Sequence, residues 1–595
     1  MDQQPCVYPV FPSRGFKGFG VAIGVVAAIY AVVLWILPPN VFWSPDEGGK
    51  FLQMSGWRAG GPSEYRISYP GHIKDAEYRF YPKRAMYPQP SANGTVSFGW
   101  HPWFPLLSLL PYGVFGIRGI YVPPALASIF AAIIAGLAAQ RLQPGSWPWV
   151  VFGVALAGPM LFYGVLFWEH TLAVCLGLAA VYLSIFTLRE GSPASQYAKA
   201  GVALGLLAVA VSLRFEMVIL PVALFVVACG SAVAHRQSLL LATIVVCHRT
   251  RIWLPVVVTA LAAVVGVAVL DGWFGGHFSF PGYSVDLTCR ALSRLGEAGL
   301  WREIPAFVVG ALVNTSEESG IPLPEIWLWV GLLGLGFCIL SCAPVGRLRF
   351  WLWMIGAIML AWVSWRAVSL PERYRAVHSL FLPAPFLVLA LLPLSRSSPR
   401  PPARAFLEAV TALYLGLYLV LAFLICGVQG GAEWGSRYAL VLYPLLVILG
   451  GVRCQTFFAS PETGAGRRTA VKFLACGLLA LGLLFSVRGV REIRTTKQDL
   501  SAFSREVRVG GQAVVTDHWW LSAALAPTFA EQELYTVSGE GELDVWIRRV
   551  GRQSKHFTYA SYGAGPADEP ALGLRLEGSK MVNGMNFSRY EVIRP

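Results

Sequence analysis

The sequence has 595 residues, of which 55% are hydrophobic and only 13% are charged. Soluble domains carry about 25% charged residues, so this composition excludes an ordinary soluble protein and indicates a chain that lies mostly in lipid. The net charge of +14 does not indicate nucleic-acid binding, because the basic residues are scattered between apolar segments and form no patch or motif.

The chain begins with a predicted transmembrane helix. Arg14 and Lys17 precede an uncharged apolar stretch at 18–37. This stretch is longer than the roughly 7–15 apolar residues of a signal peptide, so it is predicted to be a retained first span. The polar segment FWSPDEGGKFLQ (42–53) follows it directly.

A long outer loop, 38–120, is predicted between the first and second spans. Near its end, GWHPWFPLLSLLPYGVFG is apolar but short and interrupted by prolines. A stretch of this kind is too short to cross a bilayer comfortably, and it is predicted to form an interfacial or re-entrant helix.

About thirteen transmembrane helices are predicted, because about 20 mostly apolar residues cross a bilayer. Lys and Arg are concentrated in one set of connections, such as LREGSPASQYAK, GRLR and SRSSPRPPAR. These are assigned to the cytoplasm by the positive-inside rule, in a multi-pass protein of the plasma (inner) membrane. The predicted spans are 18–37, 121–140, 148–166, 171–188, 200–213, 216–234, 252–270, 325–342, 350–365, 377–395, 405–428, 438–452 and 469–487. The predicted outer loops are 38–120, 167–170, 271–324, 366–376 and 429–437.

From about residue 488 the hydropathy falls and charges return. QAVVTD and ELYTV are predicted strands, and HWWLSAALAPTFA between them is a predicted helix. The chain is therefore divided into a transmembrane domain, 1–487, and a small extracytoplasmic α/β domain, 488–595. Asp517 and His518 end the first strand, a place where α/β proteins often have sites, but two residues alone support no role.

Ionisable residues from five separated loops fall on the same predicted membrane face. Such groups are expensive near lipid and often functional. They are Asp46, Glu47 and Lys50; Glu169 and His170; Arg214 and Glu216; Arg366, Glu372, Arg373, Arg375 and His378; and Glu433 and Arg437.

Each of these groups also has a structural interpretation. Acids that follow Ser44-Pro45 suit the N-terminus of a helix, and interfacial arginines often snorkel. The structural alternative is an N-cap for Asp46 and Glu47, and a hydrogen-bonded pair for Glu169 and His170. For Arg373 and Arg375 it is snorkelling. For Arg214 and Glu216 an internal ion pair is favoured over a ligand site.

The order of these motifs resembles that of the GT-C glycosyltransferases. This multi-pass class uses polyprenyl-phosphate-linked sugars and includes protein O-mannosyltransferases and aminoarabinose transferases. SPDEGGKF is similar to the acidic motif of the first outer loop, and FWEHTLAVCLGL to the acidic site of the second. GSRYALVLYPLLVIL resembles the RY-L-P start of a late helix. WHPWFPLL resembles the HPP segment but lacks its second consecutive proline.

The resemblance implies inverting transfer of a sugar from a polyprenyl-phosphate donor to a hydroxyl of a glycan, lipid or protein acceptor. The residue types agree with this chemistry, because a carboxylate can serve as general base and the arginine fork matches phosphate oxygens. In this interpretation Asp46 is the base and Glu47 the alternative base. The acceptor site contains Glu169 and His170, and the donor phosphate is bound by Lys50, Arg373, Arg375 and Arg437.

No cofactor is assigned, but a divalent metal, Mg²⁺ or Mn²⁺, is left open, with Asp46, Glu169 and His170 as its ligands. The expected partners are the lipid-linked donor, the acceptor and membrane lipids, and no nucleic acid. The alternative functions are a lipid or glycan transporter or flippase, and a non-catalytic subunit of glycan assembly. Transporters place ionisable groups near the bilayer midplane, whereas these lie at one edge.

Overall fold

The computed structural model shows a mostly helical chain with a small mixed sheet near its C-terminus. It describes residues 13–60, 66–82, 88–90, 95–98, 103–186, 192–234, 293, 308, 311–312, 325–342, 348–369, 379–394, 400–426, 436–509, 513–518, 520–529, 531–562 and 573–593. The predicted span 252–270 lies outside these residues, as do Glu372, Arg373, Arg375, His378 and Glu433.

Apolar α-helices make up most of the described chain. Its α-helices are α1 (Ser13–Ile36), α2 (Pro45–Gly60), α3 (Trp103–Phe115), α4 (Val122–Leu142), α5 (Trp147–Ala155), α6 (Pro159–Gly164), α7 (His170–Phe186), α8 (Pro193–Leu213), α9 (Ile219–Ala234), α10 (Glu325–Leu340), α11 (Leu348–Ser369), α12 (Pro402–Cys426), α13 (Leu442–Ala459), α14 (Ala465–Val509), α15 (Leu521–Ala524) and α16 (Glu540–Arg549).

Seven helical stretches of the described residues are long and apolar enough to cross a membrane, which makes this a multi-pass membrane protein. Three shorter apolar helices occur at His170–Phe186, Glu216–Gly230 and Trp329–Leu340. The seven stretches are Gly18–Ile36, Trp103–Leu142, Ala194–Leu213, Leu348–Ser369, Pro402–Leu421, Leu442–Ala459 and Ala465–Val509.

Among the described residues, two predicted spans depart from an α-helix in their interior. The stretch 148–166 is broken between α5 and α6, where Gly158 is extended and Pro159 begins the next helix. In the stretch 377–395, the described part contains a 3₁₀ helix at Pro385–Leu391, which is buried among other elements. Such irregular backbone is tolerated at membrane depth only when protein covers it.

The described part of the predicted first outer loop, 38–120, carries its own secondary structure. Eight residues separate the end of α1 from the start of α2. A small antiparallel sheet follows, with strands β1 (Arg66–Ser68), β2 (Pro88–Pro90) and β3 (Thr95–Phe98) in the order β1-β3-β2. α3 covers the predicted interfacial segment and spans 13 residues. At about 1.5 Å per residue this is shorter than the hydrocarbon core of a bilayer.

The C-terminal part forms a five-stranded mixed sheet of order β5-β4-β6-β8-β7. β4 pairs in parallel with β5 and with β6, while β8 is antiparallel to both β6 and β7. α14 runs without a break through residue 488 and leads into β4. The strands are β4 (Ala513–Thr516), β5 (Glu533–Thr536), β6 (His556–Ser561), β7 (Leu574–Val582) and β8 (Met585–Val592).

The sheet domain packs directly on the first outer loop. The backbone N–H of Phe42 donates to the carbonyl of Ala524 at 3.1 Å, and Thr536 N–H donates to Phe80 at 2.8 Å. A Cβ added to Gly48 in α2 would lie 1.8 Å from the carbonyl oxygen of Ala523 in α15. Only glycine permits this approach, so the sheet domain holds α2 in place.

Candidate functional site

The start of α2 is a capping box, which orients its two adjacent acids differently. The Ser44 hydroxyl accepts a hydrogen bond from the Glu47 backbone N–H at 3.4 Å. In return, Glu47 Oε2 accepts from the Ser44 N–H at 3.0 Å. This reciprocal pair satisfies two N–H groups that a helix start leaves without partners. Glu47 is therefore turned back over the helix start.

The second oxygen of Glu47 joins α2 to the turn before α7. Oε1 accepts a hydrogen bond from the Phe167 N–H at 2.8 Å, and Glu47 is fully buried. Burial raises the pKa of Glu47, while Lys497, the N–H groups of Phe167 and Ser44, and Lys50 act to lower it. These contacts give Glu47 a structural environment that excludes solvent.

Asp46 has a different environment from that of its neighbour. Its side chain is 30% exposed, and Oδ2 lies 4.0 Å from Nη1 of Arg437. The Arg437 guanidinium also donates from Nη2 to the Tyr438 hydroxyl at 2.9 Å, and it lies over the rings of Trp168 and Tyr438. These contacts fix the arginine and leave the Asp46 carboxylate accessible.

A chain of ion pairs lies beside this pair. Lys50 Nζ is 2.6 Å from Glu169 Oε2, and Arg214 Nη1 is 3.1 Å from Glu169 Oε1. Arg214 Nε contacts Glu216 at 2.8 Å. Burial raises the pKa of Glu169, but the charges of Lys50 and Arg214 outweigh it and hold the pKa at about 2. Glu169 is therefore ionised and joins α2 to the end of α8.

His170 lines a small polar cleft. Its ring packs against Tyr163 and Trp168. Both ring nitrogens are buried, and neither has a hydrogen-bond partner in the part of the chain that the structure describes. The polar side chains that line the cleft are His170, Arg214, Glu216, Arg437 and Tyr438.

A second cleft is lined by apolar residues, including Trp149, Phe386 and Val447, and no charged side chain lines it. We assign the candidate site to the polar cleft, because it contains the groups that can bind phosphate or move a proton.

The proposed metal ligands do not form a metal site. Among the described residues, no group of three or more His, Cys, Asp or Glu side chains is placed to hold a metal ion. Both oxygens of Glu169 contact basic side chains, those of Lys50 and Arg214. Asp46 is paired with Arg437. A cation bound by Glu169 would have to displace Lys50 or Arg214.

The structure therefore brings together several of the residues that the sequence singled out. Asp46 lies beside Arg437, and Lys50 forms an ion pair with Glu169. Arg373 and Arg375 lie outside the described residues, and their roles stay predictions.

Two further residues near the candidate site were not predicted from the sequence. Tyr438 directly follows Arg437 in GSRY and contacts its guanidinium. Lys497 is 1% exposed and donates to the Tyr121 hydroxyl at 2.9 Å. Its helical spacing from the buried Ile493 and Leu500 could have revealed it.

Comparison with known proteins identifies the fold. No protein-family model matches the chain, and no curated protein matches it either. Among solved structures, ArnT from Cupriavidus metallidurans bound to undecaprenyl phosphate aligns with 97% of this chain and 99% of its own, at 12% sequence identity and a TM-score of 0.50. ArnT in the apo state aligns with 98% and 100%, at 12% identity and a TM-score of 0.49.

The archaeal oligosaccharyltransferase AglB from Archaeoglobus fulgidus, in complex with an inhibitory peptide and a dolichol-phosphate, aligns with 91% of this chain and 70% of its own. Its sequence identity is 11% and its TM-score 0.44. At these identities the likeness concerns the fold. The chain shares the fold of ArnT, with a small C-terminal sheet. The predicted class, a helical multi-pass membrane protein with a C-terminal sheet domain, is confirmed, whereas the count of about thirteen spans stays a prediction.

Proposed function

We propose that this protein transfers a sugar from a polyprenyl-phosphate-linked donor to an acceptor hydroxyl of a glycan, lipid or protein. We place the reaction at the extracytoplasmic face of the plasma (inner) membrane. The GT-C fold supports this proposal, and the ArnT structure that shares this fold holds undecaprenyl phosphate.

One observation carries the proposal: an accessible carboxylate lies beside an arginine that lines a polar cleft. Asp46 Oδ2 and Arg437 Nη1 are 4.0 Å apart, and Arg437 lines the cleft that His170 faces. A carboxylate can take a proton from an acceptor hydroxyl, and an arginine can stabilise the charge of a departing phosphate. Glycosyl transfer from a lipid phosphate requires both groups.

The reaction is a direct displacement. The acceptor oxygen attacks the anomeric carbon, and Asp46 accepts the proton of the hydroxyl. The bond between the anomeric carbon and the phosphate oxygen breaks, and the polyprenyl phosphate leaves with the bonding electrons. Because one substitution occurs, the anomeric configuration inverts. Arg437 binds the phosphate, and Arg373 and Arg375 supply further positive charge in this proposal.

The remaining site residues position the helices and the substrates. The sequence indicates phosphate binding for Lys50 and acceptor binding for Glu169. Lys50 is 3% exposed and paired with Glu169, so we propose instead that this pair holds α2 against the start of α7. His170 offers two nitrogens without described partners. We propose that His170 contacts sugar or acceptor hydroxyls in the cleft.

A transfer assay with defined donors tests this function. The purified protein in lipid nanodiscs is incubated with a panel of polyprenyl-phosphate-linked sugars and extracted envelope acceptors. We expect release of free polyprenyl phosphate and a matching loss of donor sugar into acceptor. A flippase would instead move intact donor across vesicles without releasing phosphate, and that result would contradict the proposal.

A further inference from the structure

The sheet domain contains a second polar cluster, at the carboxyl ends of two parallel strands. β4 leads to β5 on one side of the sheet, whereas β6 leads toward β8 and β7 on the other side. The connections therefore diverge between β4 and β6. In open α/β sheets, ligands bind at this kind of topological switch point, outside the carboxyl ends of the strands.

Side chains from both strand ends are joined at this point. Asp517 and His518 directly follow β4. Ser561 is the last residue of β6, and Tyr562 follows it. The Ser561 hydroxyl donates to Asp517 Oδ2 at 2.9 Å, and the Tyr562 N–H donates to His518 Nε2 at 3.3 Å. We name these four residues, together with Trp520, the switch-point cluster.

Three aromatic rings form one side of the switch-point cluster. The ring centroids of His518 and Tyr562 are 4.7 Å apart, and those of His518 and Trp520 are 6.0 Å apart. Tyr562 is 46% exposed, so this aromatic side is open to a ligand. Apolar ring faces of this kind pack against the flat apolar faces of ring-shaped ligands.

The carboxylate of Asp517 has spare capacity to accept hydrogen bonds. Oδ1 lies 3.3 Å from His518 Nε2, but that nitrogen already accepts the Tyr562 N–H. Oδ1 is buried and has no hydrogen-bond partner among the described residues. A buried acceptor without a donor is costly, and a ligand hydroxyl would supply the donor.

We propose that the switch-point cluster binds a neutral sugar ring. The ring packs against Trp520 and Tyr562, and its hydroxyls donate to Asp517. The cluster contains a carboxylate, which disfavours a phosphate or another anion. A sugar is the ligand class that combines apolar ring faces with several hydroxyl donors.

The position of this cluster connects it to the candidate active site. Trp520 immediately precedes α15, and Ala523 of α15 lies against Gly48, two residues beyond Asp46. A glycan held at the cluster is therefore bound close to α2. Identifying this glycan as the acceptor rests on the proposed function, but the binding of a sugar does not.

Glycan binding by the full-length protein in nanodiscs tests this inference. An array of neutral and anionic oligosaccharides is probed first, and the strongest neutral oligosaccharide is then titrated by calorimetry. We expect Trp520→Ala and Tyr562→Ala each to weaken binding by about tenfold or more, since each removes one packing surface. Trp520→Phe keeps an aromatic face and should retain most of the affinity.

Met581→Ala is the matched control, because Met581 is 63% exposed on β7 at the far edge of the sheet. It should bind as the wild type does. Equal binding by Trp520→Ala and wild type, binding of anionic glycans alone, or no neutral ligand on the array would each overturn the inference.

The same protein separates this inference from the proposed function. Asp46→Asn should bind the oligosaccharide normally while losing transfer. Trp520→Ala should raise the KM for a glycan acceptor without changing kcat. If no lipid phosphate is released by the wild type but the oligosaccharide still binds at the cluster, the proposed function fails and the sugar site stands.

Discussion

Two adjacent carboxylates at the start of α2 have different environments because they occupy different positions of one helix turn. Glu47 is at the third helical position, where its side chain can reach back to the Ser44 N–H. Asp46 is one residue earlier and its side chain points toward Arg437. The sequence could locate this pair but could not distinguish the two acids, since the distinction depends on the cap and on Phe167.

Substitution of each acid by alanine should separate their effects on stability. Glu47→Ala leaves the N–H groups of Ser44 and Phe167 without their acceptor, and each unsatisfied buried donor costs about 1–3 kcal/mol. Asp46→Ala removes only a half-buried carboxylate and should cost less than about 1 kcal/mol. Thermal unfolding in detergent measures both. Equal destabilisation by the two variants would contradict this assignment.

At the scale of elements, α14 shows what hydropathy misses. The predicted span ends at residue 487, where charges return, but the helix continues to Val509. Beyond 487 its buried side chains include Ile493, Lys497, Leu500 and Val507, at spacings of a helical face. Membrane hydropathy cannot show this, because the buried face there is covered by protein, while the opposite face carries exposed polar residues such as Arg491 and Arg494.

Lys497 should couple α14 to the first outer loop. It donates to Tyr121, which itself donates to the carbonyl of Pro39 at 3.3 Å. We expect Lys497→Met and Tyr121→Phe each to destabilise the protein, with a coupling energy of about 0.5–3 kcal/mol in a double-mutant cycle. Lys472→Met, on the exposed side of α14, is the control and should have little effect. Strict additivity would show that the two side chains act independently.

The break between α5 and α6 is a second difference at this scale. The mean hydropathy over 148–166 is that of one apolar span and does not show the break, which depends on Gly158 and Pro159. Proline removes a backbone donor and disfavours a helical residue before it. This signal was readable in the sequence, whereas the buried 3₁₀ helix at Pro385–Leu391 depends on the elements around it.

At the scale of the molecule, the predicted first outer loop packs against the C-terminal sheet. Lys74 contacts Glu533 at 2.9 Å and donates to Ser554 at the same distance, and the Tyr69 hydroxyl donates to Leu534. The sequence predicted both parts but not their contact. Contacts between residues more than 450 positions apart leave no local pattern.

Gly48 should be the most sensitive point of this contact. A methyl group there would meet the Ala523 carbonyl at 1.8 Å, so Gly48→Ala must displace α15 or α2. We expect it to lower the thermal unfolding midpoint and to increase hydrogen exchange at Phe42, whose N–H donates to Ala524. Gly20→Ala, in α1, has no atom within 4 Å of the added carbon and should be neutral. An unchanged midpoint in Gly48→Ala would contradict this packing.

The catalytic assignment of Asp46 is tested most directly by the single-turnover rate of polyprenyl phosphate release. We expect Asp46→Asn to lower this rate by about 10²–10⁴-fold, the usual contribution of a general base, while retaining wild-type hydrogen exchange at α2. Glu47→Gln, once corrected for its folded fraction, should lose far less. Full activity of Asp46→Asn together with loss of activity in Glu47→Gln would show that Asp46 is not the base.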